Sequence, residues 1–185
     1  MSKLTLDYAV YSLDRQMLLP AGTTLSEEDL STLISSSSVD DQKKFSLMQF
    51  GTVRKDVLDF VRQSPGNTVF SNKEELAEVI ELMEQVKLVR PELDSVEYFK
   101  KNDSYTYRHI LMVFAYLTLL SKDLVPNYQA RIREVETSPL HDFGKVCVPL
   151  EILTKTSPLT RDERKNLEHH TTAGVCARYY VLNCL

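Results

Sequence analysis

Three of the four histidines in this sequence, together with one aspartate, have the residue types and spacing expected of metal ligands. His109 lies on a predicted helix whose apolar residues three, four and seven positions later share its face, so its ring should point into a helical core. His141 is followed directly by Asp142. Two adjacent side chains therefore offer an imidazole nitrogen and a carboxylate that can bridge two ions. Both groups are ligands of divalent transition metals.

The remaining pair, His169 and His170, lies inside a predicted helix that begins after Thr160. Adjacent helical residues point about 100° apart, so only one of the two can face a shared interior point. Leu167 and Gly174 mark the inward side together with His170, and we expect His169 to face solvent. His170 is accordingly the third candidate nitrogen ligand.

Gly144 and Lys145 come directly after the His-Asp pair and its phenylalanine. Glycine permits a left-handed backbone that ends a helix, and Lys145 would then be a mobile cation beside the pair. Each feature also has a purely structural explanation: a core histidine in either helix, or a capped helix end with a solvated carboxylate. Their joint occurrence on predicted inward faces favours a metal cluster over separate packing roles.

The elements that must position these residues divide into a small N-terminal module and a helical body. Two short apolar runs around a turn at Asp14 predict a β-hairpin over residues 8–20, and Thr24 or Ser26 can cap the short helix that follows. Four serines and an acidic stretch then show no apolar period, which is typical of a linker. The predicted organisation is a small α/β module at 1–38, a linker at 39–50 and a helical domain at 51–185.

Apolar residues at helical spacing predict helices through most of the body. Capping boxes at Ser71–Glu74 and Thr160–Glu163 mark two of the helix starts, and the second of these helices is expected to run to Cys184. Pro139 is expected to start a new turn, with Ser138 as its cap. The predicted helices cover about residues 52–63, 71–89, 91–99, 104–121, 126–135 and 160–184. We therefore predict a mainly α helical bundle preceded by the small α/β module.

Composition excludes several classes of protein. The chain of 185 residues has 22 basic and 26 acidic side chains, a net charge of −4, and no clustered basic face that would bind nucleic acid. Its longest apolar run, residues 110–120, is about half of the 20 residues needed to cross a bilayer. Three cysteines, an odd number, without a signal sequence indicate free thiols in a reducing compartment. We expect a cytoplasmic protein that binds neither nucleic acid nor membrane.

Short sequence blocks containing the candidate ligands follow one another in a fixed order. They are Tyr105-Thr-Tyr-Arg-His109, His141-Asp-Phe-Gly-Lys145, Val148-Pro149, Ile152-Leu153-Thr-Lys155, Leu159-Thr160, Glu163 and His170-Thr-Thr-Ala-Gly174. In this order they resemble the motifs of the HD-GYP branch of the HD metal-dependent phosphohydrolase superfamily. The N-terminal segment from Leu18 to Glu28 similarly resembles the small module that often precedes such domains.

The resemblance implies an HD-domain-like helical bundle that binds transition metals, usually iron or manganese, and hydrolyses cyclic di-GMP. Carried over to this sequence, His109, His141, Asp142 and His170 would be metal ligands for one or two ions, and Asp142 would bridge two of them. Lys145 would contact the phosphate, so Asp142 and Lys145 would be the catalytic residues. The substrate would be a cyclic dinucleotide or another phosphodiester.

The sequence also departs from the family pattern. The later D-G-x-G-Y-P motif has no counterpart after His170, so we expect a C-terminally incomplete domain with weak or no phosphodiesterase activity. The alternative is a catalytically degenerate HD-domain protein that acts as a regulatory or binding partner in cyclic di-GMP signalling. A helical adaptor whose histidines are structural is a third possibility. An apolar face left by missing helices would invite a homodimer.

Overall fold

The computed structural model describes residues 3–35 and 42–183, and it confirms a mainly helical chain with a few short strands. The helices are α1 (Glu27–Ser35), α2 (Val53–Val61), α3 (Gly66–Val69), α4 (Lys73–Glu84), α5 (Arg90–Asn102), α6 (Ser104–Leu124), α7 (Tyr128–Thr137), α8 (Leu150–Leu153), α9 (Arg161–Glu168) and α10 (His170–Asn183). The strands are β1 (Leu4–Thr5), β2 (Val10–Tyr11), β3 (Met17–Leu19), β4 (Thr24–Leu25), β5 (Lys44–Ser46) and β6 (Lys87–Val89). Short 3₁₀ helices lie at Leu47–Gln49, Ser138–Leu140 and Phe143–Cys147.

Two compact units make up the chain, and each combines segments that are separate in the sequence. The first unit contains Met1–Gln42, Asp94–Asp103 and Asp142–Leu185. The second contains Lys43–Leu93 and Ser104–His141. The described part of the predicted N-terminal module therefore belongs to the same unit as α9 and α10.

In the first unit, the N-terminal residues form two antiparallel strand pairs and a capped helix. β1 pairs with β4, and β2 pairs with β3 across the predicted turn, where Arg15 adopts a φ of 66°. The Ser26 hydroxyl accepts a hydrogen bond from the N–H of Asp29, and the Asp29 carboxylate accepts one from the N–H of Ser26. Of the two predicted caps, Ser26 is the one used, since Thr24 lies in β4.

The 3₁₀ helix at Phe143–Cys147 is packed within the first unit by buried apolar residues. Cys147 joins it to the hairpin: its Sγ accepts a hydrogen bond from the N–H of Tyr11 at 3.4 Å and donates one to the Tyr11 carbonyl at 3.3 Å. Burial raises the pKa of Cys147 from 9.0 to about 11, so this thiol is a structural donor. The 3₁₀ helix that follows Asp142 is therefore held against the N-terminal hairpin.

The second unit contains a strand, β5, within the segment predicted to be a linker. β5 pairs antiparallel with β6, with Phe45 opposite Leu88, and Leu47 and Met48 are buried. Residues 44–49 of the predicted linker thus form a strand and a 3₁₀ helix, whereas residues 39–41 lie outside the described residues. A strand of three residues whose partner lies far along the chain leaves no local periodicity to detect.

Helices of the second unit position His109 and His141. α6 has Leu111 and Phe114 in the core, each fully buried. α7 runs directly into the 3₁₀ turn at Ser138–Leu140, with Pro139 near its start, as predicted. The predicted cap is wrong, because the Ser138 hydroxyl donates back to the Val135 carbonyl instead of capping the turn.

Two other helix predictions need correction. Asn72, not Ser71, caps α4, because its side chain accepts a hydrogen bond from the N–H of Glu75. The capping box at Thr160 is confirmed, but the helix it opens ends at Glu168 and α10 follows from His170. Cys184, the expected end of that helix, lies outside the described residues.

Among the helices in the described ranges, none combines the length and the apolar character that a bilayer crossing requires.

Candidate metal centre

His109, His141 and Asp142 bring their ligand atoms together. One atom from each side chain lies within 4.8 Å of the other two, a grouping that can hold a metal ion. His109 comes from α6 and is half-buried, His141 directly follows the 3₁₀ turn at Ser138–Leu140 and is exposed, and Asp142 is buried. The cluster predicted from the sequence is therefore confirmed for these three residues.

The two imidazoles are the best-defined part of the cluster. The Nε2 atoms of His109 and His141 are 3.1 Å apart, and the ring planes are inclined by 68°. Two nitrogens bound at right angles to one ion at about 2.1 Å would lie about 3.0 Å apart, so the pair fits a shared metal. The arrangement also suits an N–H···N hydrogen bond, which one imidazole would donate in the metal-free protein.

A backbone carbonyl determines the tautomer of His141. Its Nδ1 lies 2.6 Å from the carbonyl oxygen of Ser138. Because a carbonyl oxygen only accepts, Nδ1 carries the proton, and Nε2 of the neutral ring presents its lone pair toward His109. Metal-binding histidines are commonly oriented by such a hydrogen bond from the other ring nitrogen.

Asp142 interacts with two further predicted site residues. The Lys145 ammonium donates to Oδ2 at 2.7 Å, and the two side chains are only 15% and 5% exposed. Nε2 of His170 lies 3.5 Å from Oδ1. Lys145 is therefore close to the pair as predicted, but it is held in an ion pair and is not a mobile cation.

His170 repeats the local arrangement of His141. Its Nδ1 lies 2.5 Å from the Leu167 carbonyl oxygen, so Nδ1 donates and Nε2 is directed to Asp142. His170 is nevertheless outside the three-atom group, so the four predicted ligands do not form one cluster in the described residues. Its role as a ligand stays a prediction.

The predicted role of Gly144 is wrong. Its φ is not positive, and the positive-φ glycines among the described residues are Gly22 and Gly51. A Cβ on Gly144 would lie 1.9 Å from the carbonyl oxygen of His170 and 2.5 Å from the backbone nitrogen of Gly174. Glycine is required because α10 passes directly against the turn after Asp142, and this close approach places His170 beside that carboxylate.

His169 does not face solvent as predicted. Its ring packs against Tyr8 with centroids 5.6 Å apart, and Nε2 is buried without a hydrogen-bond partner. Burial lowers the pKa of His169, which favours the neutral ring. The prediction from helical phase was wrong because α9 ends just before His169 and because Tyr8 of the N-terminal segment packs against its ring.

Sequence reasoning missed the carbonyls that orient the histidines. The Ser138 and Leu167 carbonyls each accept from the histidine three residues later. Each histidine sits at a helix boundary, one just after a 3₁₀ turn and the other at the first residue of α10. Pro139 signalled the first boundary in the sequence, whereas no residue signalled the break before His170.

In comparisons with protein-family models, with curated proteins and with solved structures, nothing matches this chain. The resemblance of its motif blocks to the HD-GYP branch is therefore neither supported nor refuted by relatives. A function for this chain is therefore inferred from the geometry of the candidate site.

Proposed function

We propose that this chain is a divalent-metal-dependent phosphodiester hydrolase of the HD-GYP kind, with cyclic di-GMP as the expected natural substrate class. The observation that carries the proposal is the grouping of two imidazole nitrogens and a carboxylate oxygen within 4.8 Å, next to a lysine ammonium. Nitrogen and carboxylate donors suit Fe(II) or Mn(II), which are the expected metals. A cation beside such a site suits an anionic substrate.

His109, His141 and Asp142 would hold the ion. A bound divalent ion lowers the pKa of a coordinated water and so provides hydroxide at neutral pH. The protein supports this by keeping Nε2 of His141 unprotonated through the Ser138 carbonyl, since only a deprotonated nitrogen can be a ligand. The exposure of His141 leaves the cluster open to a substrate in solvent.

Lys145 would bind a non-bridging phosphate oxygen. Its ammonium is 2.7 Å from Asp142 Oδ2. An ion that neutralises Asp142 would weaken this pair and make the ammonium available to the substrate. His170, with Nε2 3.5 Å from Oδ1, would become a further ligand.

Weak turnover of cyclic di-GMP is expected, with regulatory binding as the second candidate function. Within residues 3–35 and 42–183, a single group of at least three ligand atoms is present. One ion can acidify a water, but it cannot stabilise the attacking and leaving oxygens together as a metal pair does. This favours slow hydrolysis, or binding of a phosphodiester without hydrolysis.

The first test is metal binding by the purified chain. Protein loaded anaerobically with Fe(II) or Mn(II) should retain metal in its wild-type form and lose at least about tenfold in affinity in His141→Ala and in Asp142→Asn, since each removes one ligand. His169→Ala is the matched control, because this half-buried neighbour of His170 lies outside the cluster. Equal occupancy in all four proteins would contradict the proposal.

The second test is hydrolysis of an activated aryl phosphodiester and of cyclic di-GMP by the metal-loaded protein. Slow turnover of the activated ester, abolished in Asp142→Asn, is the expected result. Metal-dependent binding of cyclic di-GMP without turnover would favour the regulatory function. If metal binds but no phosphodiester is bound or cleaved, the phosphodiesterase proposal fails while the metal site stands.

A further inference from the structure

A groove between α2 and α4, within the second unit, has the size of a ligand site. Its volume is about 910 Å³, and small-molecule sites typically have about 300–1,000 Å³. We call it the α2–α4 groove. None of the candidate metal ligands lines it, and none lies on α2 or α4. A ligand in this groove would therefore bind apart from the candidate metal centre.

The two ends of the groove differ in charge. Arg54 near the start of α2 forms an ion pair with Glu84 at the end of α4, with Nε 3.1 Å from Oε1. Glu81, which is exposed, lies one turn before Glu84 and so belongs to the same end. Arg62 directly follows α2 and Lys73 begins α4, so both belong to the opposite end. One end is therefore acidic overall and the other is basic.

The basic end offers hydrogen-bond donors that the protein does not use. Arg62, Ser71 and Lys73 all line the groove with exposed side chains. Within residues 3–35 and 42–183, none of the three side chains makes a hydrogen bond or an ion pair. A guanidinium, a hydroxyl and an ammonium are together suited to one anionic group, and a guanidinium can bind a carboxylate through two parallel hydrogen bonds.

Apolar side chains line the groove between its two ends. Leu58 of α2 and Leu76 of α4 are half-buried, and Ile80 of α4 is buried. Ala77 is exposed and its small side chain leaves space between the helices. Such a surface gains free energy when an apolar ligand displaces water from it.

We propose that the α2–α4 groove binds a small amphiphilic anion, an apolar chain that carries one carboxylate. The carboxylate lies at Arg62 and Lys73, and the chain extends along Leu58 toward the ion pair. Charge complementarity sets this orientation, because Glu81 would repel an anionic group at the other end. Eight helical residues separate Arg54 from Arg62, so the groove extends for about 12 Å, which suits a single chain of medium length.

Calorimetric titration of decanoate into the purified chain is the direct test. A dissociation constant on the order of 100 µM is expected for a ligand of this size. Decyltrimethylammonium has the same chain with a cationic head, and acetate has the carboxylate without the chain. Each should bind at least about tenfold more weakly than decanoate, because each keeps one half of the recognition.

Two variants locate the ligand. The double variant Arg62→Gln with Lys73→Gln should weaken decanoate binding at least about tenfold, because it removes both cations. Ala77→Glu places a carboxylate in the apolar part and should weaken it by a similar factor. Lys87→Gln with Arg133→Gln is the matched control, since it removes the same two charges from exposed residues outside the groove. The control should bind decanoate like the wild type, and circular dichroism should show unchanged helix content in all variants.

Four results would overturn the proposal. The first is no decanoate binding at millimolar concentration, and the second is equal binding of decyltrimethylammonium, which would show apolar adsorption without charge recognition. The third is decanoate binding that tolerates loss of Arg62 and Lys73, which would place the ligand elsewhere. The fourth is binding to anionic phospholipid vesicles in place of decanoate.

Discussion

Lys145→Met removes the cation that pairs with Asp142 while keeping the length and apolar stem of the side chain. In the metal-free protein it leaves a buried carboxylate without its closest counter-charge. In the metal-bound protein the ion itself supplies that charge. We therefore expect the substitution to destabilise the metal-free protein and to tighten metal binding.

The magnitude follows from the burial and separation of the pair. Nζ and Oδ2 are 2.7 Å apart, with side chains 15% and 5% exposed, and removing one partner of a buried pair costs about 3–5 kcal/mol. We expect a loss at the lower end of this range, about 3 kcal/mol, because Lys145 keeps some contact with solvent. Relief from competition with Lys145 should tighten metal binding by about tenfold to a hundredfold, or about 1.4–2.8 kcal/mol.

Two measurements check the expectation: urea unfolding with and without Mn(II), and calorimetric titration of Mn(II) into the metal-free protein. Lys155→Met is the matched control, because it breaks another lysine–carboxylate pair, to Glu163 at 2.6 Å, whose side chains are more exposed at 26% each. The control should lose no more than about 1 kcal/mol and should bind metal like the wild type.

Lys145→Met should change two observables in opposite directions: stability without metal should fall, and affinity for metal should rise. If Lys145→Met binds Mn(II) as weakly as the wild type or more weakly, then Lys145 does not compete with metal for Asp142. If the variant is as stable as the wild type without metal, the ion pair contributes nothing to the fold.

Three further predictions concern neighbouring residues. Gly144→Ala should lower the free energy of unfolding by about 3 kcal/mol in urea unfolding, since its Cβ would lie 1.9 Å from a backbone oxygen. Gly174→Ala, whose Cβ would have contacts of 3.1 and 3.2 Å, should change the free energy of unfolding by less than about 1 kcal/mol. Burial raises the pKa of Cys147 from 9.0 to about 11, so the thiol of the unfolded chain loses its proton at a lower pH than that of the folded chain. The free energy of unfolding should therefore fall by up to about 2.7 kcal/mol as pH rises from 9 to 11. Cys147→Ala should lack this fall in stability. His170→Ala should weaken Mn(II) binding in calorimetry and His169→Ala should leave it unchanged, and the reverse result would show that the two rings exchange roles.

Local patterns in the sequence determined several elements of this protein. The hairpin turn before residue 16, the capping box at Thr160 and the long helix α6 are all confirmed, because turn residues, caps and helical periodicity act over a few neighbouring positions. The choice of His109, His141 and Asp142 as candidate ligands also came from local information, namely residue type and the helix face that each occupies.

Tertiary packing decided the relationships between distant residues. The 3.1 Å approach of His109 to His141, the capture of Lys145 by buried Asp142 and the covering of His169 could not be read from spacing. The strand at residues 44–46 was missed for the same reason, since its partner lies about forty residues further on. Side-chain periodicity specifies which way a residue faces on its own element. The distance between residues far apart in the chain depends on how the elements pack against one another, and the composition of a single element does not determine that packing.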